Sequence, residues 1–183
     1  WDDKCYSIAE CYKLLINATT QTADAWAPRM WNNFNIPKTN FTMWLISKNR
    51  LPICDRISRY SQISDTQCAI CDQQLDSIQH LFNECYYTKK LREEVDTWLY
   101  DPDIKALRMK KKKIISTVLV NMNYDIWRVR NKAYHDKCVD GIPQILKCMK
   151  AKTKRRIMSL IFVTPDGGDD GRWLEAIEFL RTF

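Results

Sequence analysis

The sequence predicts an all-α chain, and three observations carry that prediction. Only four glycines and six prolines occur in 183 residues, too few turn-formers for a strand-and-turn architecture. Apolar residues recur at spacings of three and four along several segments, the period of a helix face. Hydrophobic residues make up 45% and charged residues 28%, the balance of a globular chain that can bury a core. The length suits one domain or two small lobes.

Taken in order, "YSIAECYKLLIN" puts Ile8, Cys11, Tyr12 and Leu15 on one stripe, with Ser7 as its cap. A polar linker, "NATTQTAD", follows. "IPKTNFTMWLISKNRL" carries Phe41, Trp44, Leu45 and Lys48 at helical spacing, with Thr39 or Asn40 as N-cap. Pro52 interrupts, and "ICDRISRY" reads as about two turns with Ile53, Ile57 and Tyr60 inward. "YYTKKLREEVDTWL" places Tyr87, Leu91, Val95 and Trp98 on a clean amphipathic face. A long helix is predicted from Lys111 to about Asp136, and another from Gly141–Pro143 to about Phe162. Beyond the loop "TPDGGDDG", Asp170 caps a last helix with Trp173, Ile177 and Leu180. Trp44, Trp98, Trp127 and Trp173 all fall on apolar stripes and read as core. Residues 1–62 form an N-terminal helical part, 63–100 a Cys/His segment with its following helix, and 101–183 a basic helical part, packed as one unit.

The segment "CAICDQQLDSIQHLFNEC" holds three of the eight cysteines and one of the two histidines within eighteen residues. A disulfide loop, a chance core cluster and a metal site are the three readings. The Cys68-x2-Cys71 spacing lets a tight turn aim two thiolates at one ion. His80 and Cys85 complete a Cys3His set, which suits one structural Zn²⁺ in a closed tetrahedron with no open catalytic position. The polar surroundings of Cys68 and Cys71, from Asp65 to Gln74, argue against a plain apolar cluster. Asp76 or Ser77 caps a helix through "IQHLFNEC". His80 and Cys85 lie five residues apart, about 140° around an α-helix, so the helix is expected to unwind near Glu84. The fold class is thus mainly helical with a small zinc-knuckle segment, with one short β-hairpin allowed at Thr66 to Asp72.

With the flanking text, this segment resembles the zinc-binding region of reverse transcriptases in plant non-LTR retrotransposons (LINE elements). The matching positions are Pro37, Lys38, Phe41, Trp44, Leu45, Arg50, Leu51, Pro52, Asp55 and Arg56, then Cys68, Cys71, His80, Leu81, Phe82 and Cys85. "YSIAECYKLL" and "IWRVRNKAYH" extend the likeness on either side. Two departures are Ile53, where threonine is usual, and "LDSIQ" in place of the glutamate before the histidine. The resemblance implies a C-terminal portion of a retrotransposon polyprotein that holds element RNA or target DNA during target-primed reverse transcription. It carries over no catalytic residues.

Charge supports a polyanionic partner. Between Lys105 and Leu160 sixteen Lys/Arg face three Asp/Glu, a local excess of thirteen, so the remainder is −6 within a total of +7. The candidate nucleic-acid contacts are Lys110, Lys111, Lys112, Lys113, Arg128, Arg130, Lys132, Lys150, Lys152, Lys154, Arg155 and Arg156. Expected partners are RNA or DNA and other domains of the same polyprotein, with no membrane, since no apolar run nears the roughly 20 residues of a span. The chain is too long and too rich in ordinary hydrophobics to need disulfide staples, and its cysteines cluster unevenly with Cys-x-x-Cys in the middle. That points to a reducing compartment, nuclear and cytoplasmic, although "NAT" at Asn17 and "NFT" at Asn40 are glycosylation sequons. Asp166, Asp169 and Asp170, or His135 with Cys138, make no complete catalytic constellation. The alternative function is a protein–protein docking module of a host protein derived from such an element.

Overall fold

The computed structural model describes residues 35–63, 65–99 and 111–163. The predicted first helix at Ile8–Leu15, the "TPDGGDDG" loop, the last helix with Trp173 and candidate Lys110 lie outside them. Among the described residues the architecture is helical, without strands. It comprises α1 (Pro37–Ser47), α2 (Cys54–Ile57), a π-helical turn (His80–Glu84), α3 (Tyr86–Leu99), α4 (Lys111–Asp136) and α5 (Ile142–Val163).

Local chemistry sets the ends of α1. Pro37 stands at its first position, where the fixed φ of proline suits a helix and its missing N–H is no loss. Ile36 is therefore the N-cap, three residues or more before the expected Thr39 or Asn40, and Thr39 Oγ1 instead donates to Ile36 O at 2.8 Å. At the other end Asn49 adopts φ 53°, a left-handed conformation that asparagine tolerates. Arg50 N–H then bonds Leu45 O at 2.7 Å and Asn49 N–H bonds Ile46 O at 3.0 Å, the paired bonds of a Schellman stop.

The buried face of α1 differs from the expected one: of Phe41, Trp44 and Leu45, Leu45 alone packs against the core. Thr39, Asn40 and Thr42 point inward, while Phe41 is 55% exposed and stacks on half-buried Trp44 with ring centres 5.8 Å apart. The reason lies in its partner. α1 packs on α4, whose buried Thr117, Asn121 and Asp125 recur every four residues as a polar stripe. Thr117 Oγ1 donates to Asn35 Oδ1 at 2.8 Å across this seam, and Thr153 of α5 is also buried. Asn40 is only 5% exposed, so the folded chain does not present that sequon.

α2 is shorter than the expected two turns. After Ile57 the bonds tighten to i→i+3, with Tyr60 N–H on Ile57 O at 2.9 Å. That turns Tyr60 outward to 82% exposure, while Ile53 stays buried and Ile57 half-buried.

The remaining helices follow their apolar stripes. Leu91, Val95 and Trp98 of α3, Ile114, Val118, Met122 and Ile126 of α4, and Ile145 and Met149 of α5 meet in one core. Leu51, Ile53, Leu81 and Phe82 join it from the connecting segments. Trp98 is a core residue; Trp127 is half-buried and packs against the edge of the core, Trp44 is half-buried and stacks on Phe41, and Trp173 lies outside the described residues.

Candidate metal centre

The Cys/His segment is shaped before any ion is considered. Asp72 takes φ 54°, which lets the chain reverse directly after Cys71. Cys68 N–H bonds Gln74 O at 2.7 Å, Asp72 N–H bonds Cys68 O at 2.8 Å, and Asp76 N–H bonds Thr66 O at 2.9 Å. The allowed β-hairpin reduces to a single antiparallel bridge, Gln67 with Leu75, because the turn takes up the residues a ladder would need.

His80 and Cys85 are brought together by a wider helix. Ser77 is the cap: its Oγ accepts His80 N–H at 3.0 Å. The turn from His80 to Glu84 is then π-helical, closed by Cys85 N–H on His80 O at 2.7 Å. In an i→i+5 turn, residues five apart return to nearly the same side. The expected unwinding near Glu84 is thus a widening, and the chain leaves the helical region at Cys85 itself, with ψ 129°. Thr88 Oγ1 and Arg92 Nη2 donate to Leu81 O (2.7 Å) and Phe82 O (2.8 Å), carbonyls near this turn.

The four side chains converge. The sulfurs of Cys68, Cys71 and Cys85 and a ring nitrogen of His80 all lie within 4.8 Å of one another, and Cys71 Sγ is 3.2 Å from His80 Nε2. A tetrahedron with Zn–S bonds of 2.3 Å has edges of about 3.8 Å, inside that range. His80 Nδ1 is 2.9 Å from Gln74 Oε1; as donor there, it leaves Nε2 unprotonated on the cluster side. Cys68, His80 and Cys85 are buried and Cys71 is partly exposed.

Electrostatics favours a bound cation. Tyr87 and Thr88 N–H groups, at the start of α3, point at Cys85 and help to hold its thiol below the ordinary value, after the larger effect of a hydrogen bond from Cys68. Cys68 goes the opposite way, raised by its bond to Cys85 and then by burial. Cys71 is raised by burial, against a backbone N–H from Gln73. A divalent ion favours the thiolate form of all three, and the N–H groups aimed at each sulfur suit that state. All six cysteines among the described residues are thiols, so no disulfide competes for this set.

A buried ion pair ties this lobe to α4. Asp76, between Cys71 and His80 in sequence, is fully buried, and Arg130 is 2% exposed. Asp76 Oδ2 accepts from Arg130 Nε at 3.0 Å, from Arg130 Nη2, and from Cys54 N–H at 3.0 Å. Arg130 Nη2 also reaches Cys54 Sγ at 3.1 Å, and Tyr134 lies under the guanidinium with its ring centre 4.6 Å away. Burial and the Asp76 carboxylate push the Cys54 thiol up to about 11, so it stays protonated.

Arg130 is therefore a correction to the candidate contacts: it is consumed in the interior and cannot meet a phosphate. The sequence held a signal for this, because Arg130 follows Ile126 by four residues on the apolar stripe of α4. The other candidates are distributed unevenly. Lys111, Lys112 and Lys113 lie on the first turn of α4. Arg128 is half-exposed and pairs with buried Asp125 at 3.2 Å; Lys152 of α5 pairs with the same carboxylate, and Lys132 with Asp140. Lys150 Nζ sits 5.4 Å from the Trp98 ring centre, and Arg156 Nη2 reaches Asn35 O at 3.4 Å. Arg155 is exposed and Lys154 half-exposed on α5.

The family described as zinc-binding in reverse transcriptase matches residues 6–91, a little under half the chain and inclusive of all four clustered ligands. No curated protein and no solved structure matches the chain. The match and the geometry agree: the Cys68, Cys71, His80 and Cys85 cluster is compatible with one structural zinc.

Proposed function

We propose that the chain is a non-catalytic, zinc-stabilised nucleic-acid-binding module of a LINE-type reverse-transcriptase polyprotein. Its role is to position element RNA or target DNA during target-primed reverse transcription, in a reducing nuclear and cytoplasmic setting. One observation carries the reading: a net ten of the thirteen excess positive charges fall on α4 and α5, helices that share a core with the zinc lobe, with Arg130 among them buried. Cations on a rigid surface gain affinity by releasing counterions from phosphates, and such contacts position a strand without reading its sequence. The zinc holds the fold; all four of its positions are filled by side chains, so it supplies no Lewis-acid site for a reaction.

The test is a salt series on the binding of single-stranded RNA and nicked duplex DNA, with Lys147→Glu, Lys154→Glu and Arg155→Glu combined on α5. These side chains are exposed or half-exposed, so the variant should fold and retain zinc. Binding should fall steeply with salt in the parent, with a shallower slope in the variant. Salt-independent binding, or none, would turn the reading toward a docking module. The exposed Phe41–Trp44 stack is the feature that favours that second reading, since an apolar contact there would be nearly indifferent to salt.

A further inference from the structure

A shallow, open cleft of about 480 Å³ runs along α4, lined by Tyr124, Trp127, Arg128, Asn131, Lys132, His135 and Asp136. Cations from three helices gather at its Tyr124 end. Lys38 Nζ of α1 is 5.3 Å and Lys152 Nζ of α5 is 5.9 Å from the Tyr124 ring centre, and Arg128 follows one turn along α4. Among the described residues a single carboxylate, Asp125, is paired with this group, taking both Arg128 and Lys152 through Oδ1. Three positive charges against one leave an excess that an anion would offset. At the other end the charges balance more closely, because Lys132 pairs with Asp140 and Asp136 also lines the cleft.

Trp127 stands between those ends. It packs against the core and has the buried Arg130 guanidinium 5.5 Å from its ring centre, yet it still lines the cleft. Its indole is thus held in place while part of it faces outward. Asn131, one turn further, is fixed by accepting Arg130 Nη1 at 3.1 Å on Oδ1, which leaves its amide –NH₂ as a donor. An oriented aromatic face, an amide donor and an anion-seeking end within one cleft are the groups that a nucleotide unit requires. An acidic peptide would satisfy the cations but leave the indole unused.

We propose that this cleft holds an unpaired nucleotide of a single-stranded nucleic acid, with its base against Trp127 and its flanking phosphates on Lys38, Arg128 and Lys152. The proposal rests on the nucleic-acid reading above and sharpens it, naming a strand state and a base contact. Paired bases are stacked within their own duplex and cannot lie against the indole, so the cleft selects single strands or unpaired ends.

The test uses the full zinc-loaded chain and three labelled probes of equal length: a single strand, the same strand with abasic residues, and a duplex. The abasic strand keeps every phosphate and loses only the bases. It should bind about tenfold more weakly than the normal strand, the scale of one base–aromatic contact. Lys38→Gln should weaken both single strands by the same factor, and Trp127→Leu should close the gap between them. Because Trp127→Leu could disturb the core, photocrosslinking of a bromouracil-substituted strand to the unaltered protein provides a second measurement, with crosslinks expected between residues 124 and 135. Equal binding of normal and abasic strands, or crosslinks confined to other segments, would overturn the cleft while leaving phosphate-driven binding intact. Failure of all three probes to bind would remove the broader reading as well.

Discussion

Two regions of this molecule bury polar groups, and they do so in opposite ways. In the zinc lobe nearly every buried polar group has a partner. The three sulfurs face N–H donors, His80 is oriented by Gln74, and Asp76 takes three donors on one oxygen. In the seam where α1 and α5 meet α4, several do not. Among the described residues, Asn40 Oδ1, both amide atoms of Asn121, Asp125 Oδ2 and Thr153 Oγ1 are buried without a hydrogen-bond partner, against Asp76 Oδ1 alone near the lobe. Polar burial with partners specifies a structure, whereas polar burial without them costs stability. The lobe is therefore the part that fixes the geometry, and the seam is where the helices are held less firmly.

The comparison can be broken or sharpened by substitution. The largest effect should come from the metal: Cys68→Ser, or exhaustive chelation, removes a contribution on the order of 10 kcal/mol and should unfold the lobe, as read by circular dichroism and proteolysis. Next is the ion pair. Arg130→Met strands the Asp76 carboxylate in the interior and should cost about 3–5 kcal/mol in denaturant unfolding. Asp76→Leu combined with Arg130→Met should recover much of that loss, because no charge is then buried alone. The seam should respond with the opposite sign. Asn121→Leu replaces an unpartnered amide by an apolar group of similar volume and should raise stability by about 1–3 kcal/mol. A loss of stability there would mean that the seam is as well satisfied as the lobe. The smallest effect belongs to the outer face of α1, where Phe41→Ser should change stability by about 0.5 kcal/mol or less, since the ring is mostly in solvent.

What could be read from the sequence followed the strength of the local signal. α3, α4 and α5 have clear apolar stripes, and the ends that lie within the described residues, Tyr86, Asp136 and Ile142, fall where the periodicity and the Gly141–Pro143 stop place them. The ligand set was legible because thiolate and imidazole at those spacings have few other uses. α1 misled because Phe41, Met43, Trp44, Leu45 and Ile46 are nearly consecutive and leave no single apolar face. Its orientation is decided by the polar stripe of α4, 80 residues away at the Asn123–Met43 contact, which helix periodicity within α1 cannot register. The π-helical turn was hidden for a related reason: a five-residue ligand spacing conflicts with 3.6 residues per turn, and the sequence does not say whether the helix breaks or widens. The cleft beside Trp127 has no signature in the sequence, because an aromatic on an apolar stripe reads as core, whereas the indole is only half-buried.

Native mass spectrometry of the purified full chain, prepared without added metal and compared with Cys68→Ser, tests the central claim most directly. One zinc per parent chain and none on the variant is the expected result. A folded parent chain with no metal, or a variant that still carries one zinc, would contradict the account of the lobe as a four-ligand structural centre.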